Sequence, residues 1–260
     1  MTSNTMVTVV LIPGAWLTPA FYEPFLNAVT TAGHSAICAD YPSLGPVDPK
    51  SADCKTDSDA LSQILRAIVE DEERDVLLVM HSYAGMPGAA AAKGLSKAER
   101  LGQGKAGGVV GMVYFAAFIV PEGVSCSGLQ GGSLPSWILL DKPLPNLNVP
   151  EDPIANFAAD VDGGLLRDLD TYVKPHSSLA FNSPQPAPAW ADDAYAGRLA
   201  AIVTTVDAAV PKDAQHGMVA ATEKEWIVKE IDASHCAPFI SRIDESVGLV
   251  LGLLRDFESV

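Results

Sequence analysis

The stretch Val76–Gly85 constrains the fold of this chain more than any other. It begins with four branched apolar residues without polar alternation, which is typical of a strand that is buried on both faces. The small residues from Ala84 to Ala92 predict that a helix follows at once. A strand that reverses into a helix within about two residues forces the turn residue into a strained backbone conformation. That residue is Ser82, whose hydroxyl is therefore expected to stand clear of the edge of a sheet.

Apolar runs alternate with helical patterns along the rest of the chain. In addition to the strand before Ser82, strands are predicted at Met6–Ile12, Ser35–Ala39, Val109–Phe115, Leu199–Thr205 and Trp226–Ile231. This alternation predicts an α/β fold with a doubly wound, mostly parallel six-stranded sheet and helices on both faces. Residues 121–195 break the pattern, because they are rich in proline and glycine and lack long periodic segments. We predict a core formed by residues 1–120 and 196–260, with residues 121–195 inserted as a lid over the carboxyl ends of the strands.

The starts of two helices can be predicted from single residues. Asp57 or Ser58 is the expected cap of the helix before the Ser82 strand, because both residue types accept hydrogen bonds from free backbone N–H groups. Pro211 is expected to open the helix after the fifth strand. The last helix is predicted over 243–257 with one apolar face. The sequence leaves open whether that helix supports a homodimer.

Composition excludes several classes of partner. The net charge is −15, and such an excess of carboxylates repels nucleic acid and anionic membranes. The four cysteines have no paired spacing, so we expect reduced thiols, no metal site and no cofactor. The first apolar run is too short for a signal peptide core or a membrane span, which predicts a cytoplasmic location. The remaining expectation is a small-molecule substrate.

Three residues at predicted strand ends could form a nucleophilic site. A serine hydroxyl needs a base, and the base needs an orienting acid. Among the five histidines, His235 directly follows a predicted strand at the same sheet edge as Ser82, whereas His81 is expected to point the opposite way because neighbours on a strand alternate. Asp207 follows the fifth strand at that edge. The alternatives are a loop role for His235 and a helix-capping role for Asp207.

The surroundings of Ser82 can also be predicted in part. The backbone N–H of Tyr83 lies at a helix start, where N–H groups are free to stabilise an oxyanion. Trp137, Leu140 and Phe181 are expected to line an apolar pocket, with lid core as the alternative. His176 is expected either to touch the substrate or to lie in solvent.

The chain resembles the alpha/beta-hydrolase superfamily. Its elbow is similar to the family's G-x-S-x-G motif, with Met80 and Ala84 at the two glycine places. The order serine, aspartate, histidine is also that of the family. The segment Pro13-Gly14-Ala15-Trp16 resembles the family's His-Gly-x-x loop. The resemblance implies that the Ala15 N–H is the second oxyanion donor, and Gly14 in the same loop is expected beside the substrate. Trp16 is expected to line the apolar pocket, again with lid core as the alternative.

Finer features resemble one branch, the plant methyl-ester esterases and hydroxynitrile lyases with their fungal and bacterial relatives. These features are the Gly-Ala-Trp loop, the Thr-x-Asp-x-x-x-Pro run ending at Pro211 and a Ser-His-x-x-Pro segment. Lyases of the plant branch typically have threonine in the oxyanion loop and lysine after the histidine, where this chain has Gly14 and Cys236. This departure from the lyase pattern favours ester hydrolysis over cyanohydrin cleavage and leaves other carbon–carbon chemistry open.

The sequence leads to one main hypothesis and two alternatives. The main hypothesis is a serine hydrolase that cleaves a small, mostly apolar ester, thioester or lactone through an acyl-enzyme. The first alternative is a lyase or cyclase acting on a natural-product intermediate in the same pocket, suggested by the atypical Met80 and Pro13. The second is a ligand-binding, receptor-like module with a silent triad. The fold alone does not choose among them.

Overall fold

The computed structural model describes residues 7–166 and 168–259, so Met6 of the first predicted strand lies outside the described residues. The strands in chain order are β1 Thr8–Ile12, β2 Ser35–Cys38, β3 Asp75–His81, β4 Gly108–Phe115, β5 Ile138–Leu140, β6 Leu147–Pro150, β7 His176–Ser177, β8 Leu199–Thr204 and β9 Ile227–Ile231. The α-helices are α1 Glu23–Thr31, α2 Cys54–Arg66, α3 Gly85–Ala91, α4 Lys97–Gly102, α5 Cys126–Leu129, α6 Pro153–Phe157, α7 Leu169–Tyr172, α8 Ser178–Asn182, α9 Lys212–Ala221 and α10 Ile243–Glu258.

The core is a six-stranded sheet with the order β2-β1-β3-β4-β8-β9. Every neighbouring pair in it is parallel, which confirms the predicted fold class. All residues of the central strands β3 and β4 are buried, which explains why their sequences lack polar alternation. Helix α1 packs against α10, α2 packs against α3, and helices cover both faces. The carboxyl ends of β3, β8 and β9 consequently lie at one edge of the sheet.

Helix α2 begins earlier than the sequence suggested. Its N-cap is Asp53, whose side chain accepts from the Thr56 N–H while the Thr56 hydroxyl accepts from the Asp53 N–H. This reciprocal capping box satisfies two backbone donors, so the chain turns into the helix four residues before the predicted cap. The prediction of Asp57 or Ser58 as the cap was therefore wrong. Asp57 lies inside the helix, and its side chain is buried.

Residues 121–195 form a substructure of their own between β4 and β8. They contain α5 to α8 and a three-stranded antiparallel sheet of order β5-β6-β7. Two isolated bridges, Leu17 to Val173 and Leu44 to His176, join this segment to loops that follow β1 and β2. We call residues 121–195 the inserted segment. Its action as a lid stays a prediction.

Within 7–166 and 168–259, no helix is both long enough and apolar enough to cross a membrane. In the same ranges, no group of three or more His, Cys, Asp or Glu side chains could hold a metal ion. The four cysteines are free thiols.

Candidate active site

Ser82 occupies a sharp turn at the end of β3. Its φ is +55°, a left-handed conformation that is costly for a residue with a side chain, and a short 3-10 turn over Ser82–Ala84 leads into α3. The predicted strained turn is therefore present. Gly85 allows the start of α3 to lie against the chain that follows β4, because a Cβ on residue 85 would lie 2.3 Å from the Phe118 carbonyl oxygen. The Phe118 N–H donates to the Ser82 carbonyl at 3.0 Å, which ties the turn to the chain after β4.

The structure shows how the chain tolerates Met80 where the motif has glycine. Met80 is fully buried, and it packs against α3 at Gly88. A Cβ on Gly88 would lie 2.8 Å from the Met80 sulfur and 2.7 Å from Ile12 Cδ1. In this chain the small residue that lets strand and helix approach closely is Gly88 on the helix, whereas the motif has a glycine on the strand.

Asp207 and His235 meet at the same edge of the sheet. Asp207 Oδ2 lies 2.7 Å from His235 Nδ1 and accepts from the Thr204 hydroxyl at 2.6 Å, while Oδ1 accepts from the N–H groups of Ala209 and Val210 at 2.8 Å each. The carboxylate can only accept, so His235 carries a proton on Nδ1 and, when neutral, has a lone pair on Nε2. The N-cap of α9 is Pro211, so Asp207 does not serve as the capping residue.

Seven of the predicted site residues line one cavity. Ser82, His235, Ala15 and Tyr83 contribute to it together with Trp16, Trp137 and Phe181. In the described chain, Ser82 Oγ makes no hydrogen bond to His235.

Aromatic side chains form one wall of this cavity. The Trp16 ring lies 5.7 Å from Trp137, 5.7 Å from Phe157 and 5.4 Å from Phe181, measured between ring centroids. All four residues line the cavity. The Trp16 Nε1–H donates to Asn148 Oδ1 at 2.8 Å, so the only polar atom of that side chain is paired. Phe157 was not predicted, because the inserted segment has no periodic pattern that would single it out.

Two backbone N–H groups are available beside Ser82. The Tyr83 N–H lies in the first turn of a helix, where N–H groups have no intrahelical acceptor. The Ala15 N–H makes no hydrogen bond within the described residues. Both are therefore free to bind an anionic oxygen in the cavity.

Three predicted binding residues lie elsewhere. Leu140 is 53% exposed and lies outside the cavity, because β5 ends there and the chain turns away at Asp141, which has a φ of +55°. His176 is fully buried, so it neither lines the cavity nor lies in solvent as expected. Gly14 lies behind the lining, where its N–H donates to the Tyr22 hydroxyl at 2.8 Å.

His81 also lines the cavity, although its side chain was expected to point away from the Ser82 side of the strand. Its ring lies 4.6 Å from the His235 ring between centroids and lines the same cavity. The alternation rule failed because the strand geometry ends at the left-handed turn of Ser82. Gly14 is the residue in the sequence that makes this position of His81 possible. A Cβ on residue 14 would lie 2.7 Å from His81 Nδ1, so only glycine leaves room for the ring.

A chain of hydrogen bonds runs through His81. Its Nε2 lies 3.2 Å from the His235 carbonyl oxygen, which can only accept, so Nε2 carries a proton. The Tyr22 hydroxyl, 2.7 Å from His81 Nδ1, accepts from Gly14 and donates to that nitrogen. Burial, together with the neighbouring His235, holds the pKa of His81 well below its ordinary value, so the ring stays neutral. The neutral ring links the Gly14 loop to His235.

A family model described as the alpha/beta hydrolase family matches residues 9–248. The alpha/beta hydrolase nvfD of Aspergillus novofumigatus (strain IBT 16806) is 33% identical over 122 residues, and the match covers 46% of each chain. The chain thus matches about half the length of that relative.

Solved structures share the fold over nearly the whole chain. A pyrethroid hydrolase from Sphingobium faniae JZ-2 has a TM-score of 0.73 at 18% identity, with 95% of this chain and 97% of that chain covered. The methylesterase MES16 from Arabidopsis has a TM-score of 0.71 at 18% identity, covering 98% and 100%. Polyneuridine aldehyde esterase has a TM-score of 0.71 at 17% identity, covering 95% and 99%. At these identities the likeness establishes the fold alone.

Proposed function

The chain belongs to the alpha/beta hydrolase family, and from this premise we propose that it is a serine hydrolase of small, mostly apolar carboxylic esters, thioesters or lactones. One observation carries the proposal: a serine at a strained turn and a histidine held by a buried aspartate line the same cavity. Ester cleavage is also the activity named for the structural neighbours described as methylesterase and esterase. The apolar aromatic wall supports an apolar substrate.

The proposed mechanism gives each of these residues one step. His235 Nε2 takes the hydroxyl proton of Ser82 as Oγ attacks the substrate carbonyl, and Asp207 stabilises the imidazolium that forms. The N–H groups of Tyr83 and Ala15 hold the developing oxyanion. The leaving alcohol or thiol departs with the proton from His235, which leaves an acyl group on Ser82. A water molecule, deprotonated by His235, then attacks the acyl carbon. The bond from that carbon to Ser82 Oγ breaks, His235 returns the proton to Oγ, and the acid is released.

A fluorophosphonate probe tests this proposal directly. We expect the native protein to acquire one phosphonyl adduct, mapped by peptide mass spectrometry to Ser82, because the probe reacts only with an activated hydroxyl. The adduct should be absent from heat-denatured protein and from the His235→Ala variant. Turnover of p-nitrophenyl acetate, a thioester and a γ-lactone then distinguishes the substrate classes. A folded protein that takes no label and turns over none of these substrates would refute the proposal.

Gly14→Ala tests the role of the loop after β1. The new Cβ would lie 2.7 Å from His81 Nδ1 and 3.1 Å from Ser82 Cβ, and His81 cannot yield because it is held between Tyr22 and His235. The loop must shift, and it carries the Ala15 N–H with it. We expect kcat/KM for p-nitrophenyl acetate to fall about 100-fold, as for other small misplacements in active sites.

The control for this substitution is Gly248→Ala on α10. A Cβ at position 248 has no atom within 4 Å, and alanine is a better helix former than glycine. This variant should match the native protein in activity. Unchanged activity in Gly14→Ala would contradict the assignment of Ala15 as an oxyanion donor.

A further inference from the structure

A second group of polar side chains lies buried beside the Ser82 turn. Asp57 Oδ2 lies 2.7 Å from the Tyr83 hydroxyl and 2.5 Å from Ser43 Oγ. Ser43 Oγ lies 2.9 Å from His176 Nε2, and His176 Nδ1 lies 3.1 Å from the Ser177 carbonyl oxygen. We call Ser43, Asp57, Tyr83 and His176 the buried network. It joins α2, the turn and the inserted segment.

The buried network contains serine, histidine and aspartate but is not a second active site. Ser43, Asp57 and His176 each have 0% exposure, and none of them lines the cavity at Ser82. A nucleophile must reach its substrate, and Ser43 cannot. The network must therefore act by holding other groups in place.

The hydrogen bonds of the network need one more proton than is present when Asp57 is ionised and His176 is neutral. The Ser177 carbonyl can only accept, so His176 Nδ1 carries a proton. If Ser43 donates its hydroxyl proton to Asp57, His176 Nε2 must also carry a proton and the ring is a cation. If Ser43 donates to a neutral His176, Asp57 must carry the proton that bridges to Ser43. Either arrangement holds the same extra proton.

Burial decides where this proton resides. Burial raises the pKa of Asp57 to about 6 and lowers the pKa of His176 to about 3. Both directions favour a protonated Asp57 and a neutral His176 below about pH 6, and the proton leaves Asp57 above that pH. Four other ionisable groups face Asp57. They are Tyr83, Asp53 and Cys54 at the start of α2, and Tyr41 in the loop after β2. Burial raises the pKa of Cys54 to about 12 and that of Tyr41 well above its ordinary value, so both stay neutral.

The network reaches the proposed oxyanion site through Tyr83. The Tyr83 ring packs edge-on against His176 at 4.9 Å and against Phe181 at 5.4 Å, and its hydroxyl is bound to Asp57. We propose that Ser43, Asp57 and His176 share one proton and that the buried network positions Tyr83. With its side chain fixed, Tyr83 keeps its backbone N–H directed at the oxyanion. The oxyanion role in this inference rests on the proposed hydrolase function.

Tyr83→Phe tests the positioning role, because it removes the hydroxyl and keeps the backbone N–H. Loss of an oxyanion donor costs about 10²–10³ in kcat, and a displaced donor should cost less, so we expect kcat to fall about tenfold with KM within about twofold. The matched control is Tyr114→Phe. The Tyr114 hydroxyl is also buried but has no hydrogen-bond partner in the described residues, so its loss should leave kcat unchanged. Equal kcat values for the two variants would overturn the positioning role.

Asp57→Asn tests the shared proton. The Oδ1 atom of the asparagine can accept from the Ser43 N–H, and its Nδ2 can donate one proton to Ser43 Oγ and the other to the Tyr83 hydroxyl oxygen. The Tyr83 bond is then kept with its direction reversed, and the amide supplies the extra proton at every pH. We expect kcat within about threefold of the native value, whereas Asp57→Ala should lower kcat about as much as Tyr83→Phe. Asp59→Asn, on the exposed face of α2, is the control. Equal losses in Asp57→Asn and Asp57→Ala would overturn the shared proton.

The pH dependence of stability gives a readout that needs no activity. A folded-state pKa above the unfolded value stabilises the native protein below the unfolded pKa, and this stabilisation is lost as pH rises through the folded pKa. From about pH 4 to about pH 7, the Tm of the native protein should therefore fall relative to that of Asp57→Asn, while Asp59→Asn should follow the native protein. Parallel curves for the native protein and Asp57→Asn would refute the shared proton.

The two proposals fail separately. If Ser82 is labelled and Tyr83→Phe behaves like Tyr114→Phe, the positioning role fails and the hydrolase function stands. If native protein takes no label and hydrolyses no ester, the hydrolase function and the positioning role both fail. The Tm comparison still decides whether the network holds the proton.

Discussion

Ser82→Ala should abolish acyl-enzyme formation and lower kcat for p-nitrophenyl acetate by about 10⁵-fold or more, because loss of the nucleophile in a serine enzyme leaves only the oxyanion site and binding. The substitution removes one oxygen atom from a buried side chain that makes no side-chain hydrogen bond in the described residues, so the fold should persist. Stopped-flow kinetics should show no burst of p-nitrophenol, and intact-mass spectrometry after quenching should show no acyl adduct.

The Ser82→Ala result is interpretable only if the variant is folded. Its Tm and circular dichroism should match those of the native protein. Residual activity within tenfold of the native value would show that Ser82 is not the nucleophile. In that case a lyase or cyclase reaction in the same cavity would become the leading alternative, to be tested with carbon–carbon bond substrates. Tight binding of a ligand without turnover by the native protein would instead indicate a receptor-like module.

Asp207→Asn is expected to lower kcat by about 10⁴-fold, the size of effect found when an aspartate of this type is replaced by asparagine. The amide nitrogen can donate to His235 Nδ1, which would place the ring proton on Nε2, where a base needs a lone pair. Asparagine has nearly the same shape, and its oxygen can still accept from the Ala209 and Val210 N–H groups. The activity should therefore fall because His235 no longer serves as a base, while the fold stays unchanged.

Asp213→Asn on α9 is the matched control for this substitution. Asp213 is exposed and lies one residue into the helix that follows Asp207 along the chain. Its replacement changes the net charge by the same amount, and kcat should stay within about twofold of the native value. A fluorophosphonate time course gives a second measurement, since labelling of Ser82 should slow in Asp207→Asn and stay normal in Asp213→Asn. Equal activities for the two variants would remove Asp207 from the mechanism.

The sequence by itself determined the sheet and the Ser82 turn. Both depend on local patterns: a buried parallel strand is apolar throughout, and a strand that reverses into a helix needs small residues after the turn. It also placed Ser82, Asp207 and His235 at one edge, because the carboxyl ends of parallel strands lie together. The structure brings Asp207 and His235 to 2.7 Å and puts Ser82 and His235 in one cavity. Their catalytic roles stay predictions.

Only the tertiary structure decided the surroundings of these residues. His81 lies against His235 because the strand alternation stops at the left-handed turn, and that turn is a property of the folded backbone. Residues Ser43 and His176 are 133 positions apart in the sequence, so no local period could pair them. The inserted segment lacks long periodic segments, and packing alone placed Phe157 in the cavity wall and left Leu140 half-exposed outside it. Local patterns encode elements and their ends, whereas buried polar contacts between distant segments arise only when the elements pack.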